Sequence, residues 1–443
     1  MLTKRRTMLG LALLGAVHPL LRAAPAGGGR AAVDLKADRA LAAIASDPAC
    51  ELASLSVLAI RHGKPVYSYQ TGQRNMAGQL PANASTLYRI ASISKMMTTI
   101  GLMRLLEAGK LDLDADVSRY LGFKLRNPHF PDEVISLRLL LSHRSSLRDD
   151  AGYSWPASTS LASVLVPGAP GYDKGAMWAS GPNRQPGEFF TYCNLGWGVI
   201  GTAMEGASGE RFDLLMRRLL LDPLGIDGGY NVAAMPAEVV ANLATLYRKR
   251  TVDTEVWDAK GPWIAQVDDY SAKAPQPAAG LDAYVPGTNA TPFSPTGGLR
   301  IAAAGMGVIM QMLMNQGVHQ GKRLLKEATL ETMFTRQWTF DPASQNGDTD
   351  KGLFMAWGLG NEQFPDTPPT RLIEQGGFAA VGHLGEAYGL RSMFLFDRAS
   401  QTGFVVLVGG TSTDPELQKG TYTALARFEE RMLTTLWERA RHG

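Results

Sequence analysis

The chain has 443 residues, of which 45% are hydrophobic and 19% charged. That balance excludes a disordered, collagen-like or coiled-coil chain, and a chain this long buries roughly three quarters of its extended surface, so it needs neither disulfide nor metal to hold together. The formal charge of +3 comes from 44 basic and 41 acidic residues. Lys4, Arg5, Arg6 and Arg22 supply four of the basic ones inside an acid-free leader, and the remaining 40 against 41 show no basic stripe, so no nucleic-acid partner is expected.

Residues 1–26 read as a signal peptide. Lys4-Arg5-Arg6 precedes an apolar run from Met8 to Val17, too short to span a bilayer, and Ala23, Ala24 and Ala26 offer cleavage sites. The adjacent arginines resemble a twin-arginine signal. An exported, periplasmic or secreted protein is expected. No later run of about 18 uncharged apolar residues occurs, so no integral membrane segment is expected once the leader is removed. Gly27-Gly28-Gly29 reads as a spacer. Cys50 and Cys193 are open to pairing or to remaining free thiols.

Further along, residues 41–45 follow a helical pattern. Residues 55–60 and 65–69 flank Arg61-His62-Gly63-Lys64, a β-hairpin signature. A strongly apolar helix opens at Ser92, runs through Met96, Ile100, Leu102, Leu105 and Leu106, and stops at Gly109. Between 110 and 295 lie helical pieces at 137–141 and 212–220, separated by Pro- and Gly-rich loops; 227–295 is the least regular stretch. A helix is predicted over 299–314, strands over 355–359, 392–396 and 404–408, and an amphipathic closing helix over 415–440, with Leu425, Phe428, Met432 and Leu436 on one stripe. The predicted fold class is α+β: an antiparallel sheet flanked by terminal helices, with an inserted, mostly helical lobe. The division places an α/β lobe at 35–109 plus 296–443 and the helical lobe at 110–295.

No two of the seven histidines lie three or four apart, so no metal site is expected. Gly196-Trp197-Gly198-Val199-Ile200-Gly201 fits a dinucleotide fingerprint, follows a possible strand at 189–193, and has Asp222 about twenty residues on. No alternating βαβ series follows. The run reads instead as a glycine-rich helix packing closely on a neighbour, and no cofactor is expected. Ser92-Ile93-Ser94-Lys95 carries more chemistry. Three apart at a helix start, Ser92 and Lys95 share a face; the hydroxyl meets free N–H groups and the positive dipole end, and a desolvated lysine can serve as its base. Tyr192-Cys193-Asn194 offers a phenol that relays a proton and an amide that holds a substrate carbonyl, against a plain reading in which Asn194 caps a helix. In His383-Leu384-Gly385, the histidine could place a positive or hydrogen-bonding group opposite a substrate carboxylate or steady a tyrosinate, and Gly385 would let a substrate backbone approach a strand edge.

The three motifs, in this order, resemble those of the serine β-lactamase and penicillin-binding-protein superfamily, in its class C β-lactamase-like branch. The resemblance extends to Leu87-Tyr88-Arg89-Ile90-Ala91, Gly109-Lys110-Leu111-Asp112-Leu113-Asp114, Leu139-Leu140-Leu141-Ser142-His143, Pro223-Leu224-Gly225-Ile226 and Gly297-Gly298-Leu299. It implies a β-lactamase/transpeptidase-like fold with catalytic Ser92, Lys95 and Tyr192: Ser92 as acylated nucleophile, the other two as base and proton relay. Asn194, His383, Gly385 and Glu386 would bind substrate. The backbone N–H groups of Ser92 and Glu386 would form the oxyanion hole, and His143 would hold the loop before Ser145. His-x-Gly in place of Lys-Thr-Gly resembles the esterase, D-aminopeptidase and DD-peptidase relatives. Glu386 stands where a small residue is usual and would repel a substrate carboxylate if it entered the cleft. Ser146 replaces a common glycine. The expected partner is a small-molecule or peptide acyl substrate, an ester, D-peptide or β-lactam; a sensor that is acylated without turnover is the alternative reading.

Overall fold

The computed structural model describes residues 34–442 other than residue 369; the signal peptide and glycine spacer lie outside the described residues. Helix α1 (Leu35–Ala45) starts where Asp34 accepts hydrogen bonds from the backbone N–H groups of Lys36 and Ala37. The hairpin follows as β1 (Ser54–Arg61) and β2 (Lys64–Asn75). Its two-residue turn has His62 and Gly63 both at positive φ, 49° and 70°, the turn whose twist matches the flanking strands. A short β3 (Leu80–Pro81) lies at the sheet edge. Helix α2 (Ile93–Glu107) carries Lys95, and α3 (Leu195–Ser208) crosses it. Helix α4 (Ala303–Met314) precedes β4 (Trp338–Thr339), β5 (Ala356–Trp357), β6 (Glu362–Phe364), β7 (Ala380–Ala387), β8 (Leu390–Asp397) and β9 (Thr402–Val408), and α5 (Arg427–His442) closes the chain.

These strands form one nine-stranded sheet in the order β4-β5-β6-β7-β8-β9-β1-β2-β3, antiparallel at every pairing. The two-residue period divides β1 between two apolar layers. Leu55, Val57 and Ala59 pack with Leu41, Phe404 and Leu436 under α1 and α5; Leu58 and Ile60 pack with Met310, Phe394 and Val405 on the face of α2 and α4. Each of the larger side chains removed from water is worth about 1.5–3 kcal/mol, so burial on both faces holds the sheet's centre. The α+β expectation, an antiparallel sheet flanked by terminal helices, is what the chain adopts.

Three local readings are corrected. Residues 299–314 are not all helix: Arg300–Ala302 is a strand paired with Leu87–Arg89, held by the Arg300 guanidinium on Asp268 at 2.7 and 3.0 Å. A long-range ion pair and a strand partner override local periodicity here. The closing helix starts at Arg427, not 415; before it, the Glu430 carboxylate accepts from the backbone N–H groups of Thr421, Tyr422 and Thr423, so these N–H groups are spent outside a helix. Residues 189–193 form no strand; Phe190 makes only an isolated bridge to Gly347. The glycine-rich run that follows is helix α3, and the glycines serve packing: a Cβ on Gly206 would overlap the Tyr120 carbonyl oxygen, and one on Gly201 would lie 2.5 Å from Pro295.

Candidate active site

Helix α2 is buried almost all round, which forces the one ammonium-bearing side chain in its first turn to find polar partners inside. Lys95 is fully buried. Its Nζ lies 2.9 Å from Ser92 Oγ, 2.8 Å from Asn194 Oδ1 and 3.1 Å from the Thr296 carbonyl oxygen. Burial brings its pKa down from 10.5 to about 7, against opposing pulls from Asp149 and Cys193. Two of the three partners are fixed as acceptors. The Thr296 carbonyl can only accept, and Asn194 Nδ2 donates to Asp149 Oδ2 at 2.8 Å, which turns Asn194 Oδ1 toward the lysine. A neutral Lys95 therefore gives its two protons to Asn194 and Thr296. Its lone pair is left facing the Ser92 hydroxyl.

Ser92 sits just before the first residue of α2, and its own N–H has no acceptor among the described residues. Residue Ala91 reaches it through a left-handed φ of 44°, a strained entry that turns the side chain into the cleft. Tyr192 arrives from the segment before α3. Its ring is clamped between His143, at 4.5 Å, and Phe354, at 5.0 Å between centroids, and Lys95 Nζ lies 4.7 Å from its centre. Burial drives the Tyr192 pKa up, opposed by a contact with the Ser92 hydroxyl. The phenol is thus protonated and adjacent to the same oxygen that Lys95 faces. His143 accepts from the Cys193 N–H at 3.0 Å through Nδ1, and burial holds it neutral; it fixes the segment carrying Tyr192. Ser146 takes a left-handed φ of 65°, the conformation that a glycine would meet at no cost.

His383, Gly385 and Glu386 lie on β7. That strand pairs with β6 only at residues 380–382, so beyond Gly382 its edge is open along the cleft. His383 differs from the positive group the sequence allowed. Burial, seconded by Lys95, lowers its pKa to about 3. Its Nδ1 lies 2.6 Å from the Leu384 carbonyl oxygen, and its buried Nε2 has no partner among the described residues. It is a neutral acceptor, unable to counter a carboxylate's charge. The role of Gly385 is also corrected: a Cβ there would overlap the Ile90 carbonyl oxygen, so the missing side chain lets β7 lie against the segment that enters Ser92. Gly385→Ala is expected to push the two apart by about 1 Å and to lower kcat/KM about 100-fold; activity near wild type on an acyl substrate would contradict this. The Glu386 side chain lines the cleft, 62% exposed and bound to Arg391 at 3.0 Å.

Ser92, Tyr192, Asn194, His383, Gly385 and Glu386 all line one cleft of about 340 Å³. Cys50 and Cys193 are both buried free thiols. Two polar residues were missed from sequence. Asp149 accepts from the backbone N–H of Asn194 and Leu195, each at 2.9 Å, and so caps α3 from another loop; Asn194 occupies the cap position with no capping bond of its own. Thr296 Oγ1 donates to Asn194 Oδ1 at 2.7 Å. Neither has a signal in local spacing, because both act across more than forty residues of chain.

Penicillin-binding protein 4* of Bacillus subtilis (strain 168) is 27% identical over 181 residues, 39% of this chain and 36% of that protein, so the match spans about a third of that relative's length. Among solved structures, the class C β-lactamase of Rhodobacter sphaeroides superimposes with a TM-score of 0.61 at 18% identity, covering 91% of this chain and 98% of that one. The D-amino acid amidase of Ochrobactrum anthropi SV3 gives 0.61 at 20% identity, with 92% and 99% covered; at such identities the likeness speaks for the fold. The Beta-lactamase family model matches residues 39–427, nearly the whole described chain, and the chain belongs to that family of serine hydrolases.

Proposed function

We propose that the protein is an exported serine hydrolase that forms an acyl-enzyme on Ser92 from an ester or amide. The observation that carries this is the lysine whose other two hydrogen bonds are fixed, so that its lone pair meets the serine proton. In this reading Lys95 takes the Ser92 proton as Oγ attacks the acyl carbon. The negative charge on the carbonyl oxygen falls to the backbone N–H groups of Ser92 and Glu386, each worth about 3 kcal/mol of barrier. Tyr192 gives its phenol proton to the departing oxygen or nitrogen and regains one from the Lys95 ammonium, water then attacks the ester on Ser92 and its proton returns to Ser92 Oγ through the same pair, and Asn194 and the open edge of β7 hold the substrate. The basic leader and apolar run support export. Relatives named as an amidase, a penicillin-binding protein and a β-lactamase mark the acyl donors to try: a D-amino acid amide, a D-Ala-D-Ala peptide, nitrocefin, and p-nitrophenyl esters as the simplest probe.

Mass spectrometry after exposure to a fluorophosphonate is expected to find one adduct, on Ser92, and none in Ser92→Ala. No adduct on Ser92 from either a fluorophosphonate or a β-lactam would overturn the proposal. Glu386, the acid at an unusual position that motivates the sensor reading, is paired with Arg391 at 3.0 Å, which offsets its charge and supports turnover. Repeated product release per Ser92, rather than a single burst, is the expected outcome.

A further inference from the structure

Strand β7 orders the cleft from end to end. The His383 ring stands 6.4 Å from the Tyr192 ring between centroids, Gly385 lies against Ile90 at the entry to Ser92, and Tyr388 follows in the turn to β8, at a positive φ of 56°. Five residues of extended chain put Tyr388 about 16 Å beyond His383. Tyr192 protonates the leaving group, so the leaving group lies toward His383 and the acyl chain runs toward Tyr388.

The acyl end holds Arg89. Its guanidinium lies 5.5 Å from the centre of the Tyr388 ring, and its Nε donates to the Gly297 carbonyl oxygen at 3.1 Å; Arg89, Tyr388 and Gly297 all line the cleft. The two terminal nitrogens have no acceptor among the described residues and are not shut off from solvent. The cations around it are answered. Arg300, its partner across the strand pair, holds Asp268 at 2.7 and 3.0 Å. Arg391 binds Glu386 and Glu416, and Lys419 binds Glu416. None of the cleft's acids, Asp350, Glu362, Glu386, Glu416 or Glu429, pairs with Arg89. Glu386 is kept from it by the strand itself: Gly385 and Ala387 face Ile90 and Ala91, so Glu386 leaves β7 on the opposite face, that of Leu384. A half-buried guanidinium, fixed at Nε and presenting two free N–H groups, matches the two oxygens of a carboxylate.

We propose that Arg89 receives an anionic group at the acyl end of the Ser92 substrate, so that the preferred acyl donors are monoesters or monoamides of dicarboxylic acids. The inference rests on the acyl-enzyme reading and names its substrate class. A terminal carboxylate supplies both the acceptors and the counter-charge that Arg89 lacks. A neutral acyl chain supplies neither.

Calorimetry on Ser92→Ala at pH 8 and low salt tests this without turnover. Burial and the neighbouring Arg300 lower the Arg89 pKa only to about 10, so it is charged there. Three probes place the charge: mono-p-nitrophenyl adipate at the acyl end, its methyl ester nowhere, and 4-carboxyphenyl hexanoate on the leaving group. The adipate monoester is expected to bind at least about tenfold more tightly than the other two. That advantage should fall to about one in Ser92→Ala carrying Arg89→Gln, with the methyl ester bound as before to show the cleft intact. Without any variant at Arg89, raising salt to about 0.5 M should cut the advantage about threefold or more. Equal affinity for the monoester and its methyl ester, tightest binding of 4-carboxyphenyl hexanoate, an advantage that ignores salt, or one that survives Arg89→Gln would each overturn the assignment. A missing Ser92 adduct with the monoester preference intact would sink the acyl-enzyme reading alone; a Ser92 adduct without the preference would sink this inference alone.

Discussion

Lys95→Met is expected to lower kcat/KM on a p-nitrophenyl ester about 10³- to 10⁴-fold, the range lost with a positioned general base. Lys95→Arg should lose as much, because a guanidinium keeps its proton at any usable pH. In the wild type the base is the neutral amine. With its pKa brought down to about 7, kcat/KM should climb with pH through about 7 and level off above about 8. His383, titrating near 3, contributes nothing to that limb. The same burial leaves a mark on stability, and its sign follows from proton counting. Between about 7 and 10.5 the unfolded chain holds the lysine proton and the folded chain does not. The unfolded state then binds more protons, so unfolding free energy rises with pH across that window, by about 5 kcal/mol for a shift of this size. Lys95→Met should flatten that rise. A pH–rate profile flat between 6 and 9, or a Lys95→Met variant that keeps a tenth of the activity, would remove lysine from the chemistry.

Sequence showed most clearly what is local or strictly periodic. The hairpin around His62-Gly63, the α2 helix with its glycine stop, the β8–β9 pair and the pairing of Ser92 with Lys95 on one face all follow from spacings of two to four residues. What failed to show depends on long-range partners. Residues 300–302 have helical periodicity, yet become a strand because Leu87–Arg89 and Gly228–Gly229 pair on either side and Asp268 binds the Arg300 side chain. His383 reads as a chargeable group until burial against Trp357 and Tyr192 makes the charge unaffordable. Gly385 reads as space for substrate until the Ile90 carbonyl takes that space.

Asp149→Asn should produce the other large change, and for a reason that separates position from chemistry. The carboxylate accepts from three nitrogens of Asn194 and Leu195 and from the Cys193 thiol. It closes the N-terminus of α3 and neutralises part of the dipole there. An amide in its place still accepts through one oxygen but turns an N–H toward donors. With its oxygen kept on Leu195, it turns its NH2 toward the backbone N–H and the Nδ2 of Asn194; flipping the Asn194 side chain relieves the side-chain half of that clash, and the backbone half remains as lost stability. That flip presents Nδ2, instead of Oδ1, to Lys95 and Thr296, so the lysine lone pair gains a donor other than Ser92. Two effects should appear together: a loss of about 3 kcal/mol in unfolding free energy, from charge-assisted hydrogen bonds weakened or lost, and a fall in kcat/KM of about 100-fold. Asn194→Ala provides the contrast. It leaves the capping carboxylate on the backbone N–H groups, so it should lose activity with a smaller loss of stability. Urea denaturation with an unchanged m-value, run beside the ester assay, resolves the two. Were Asp149→Asn to keep full activity while losing stability, the carboxylate would be a helix cap alone, and the orientation of Asn194 would have to come from Thr296.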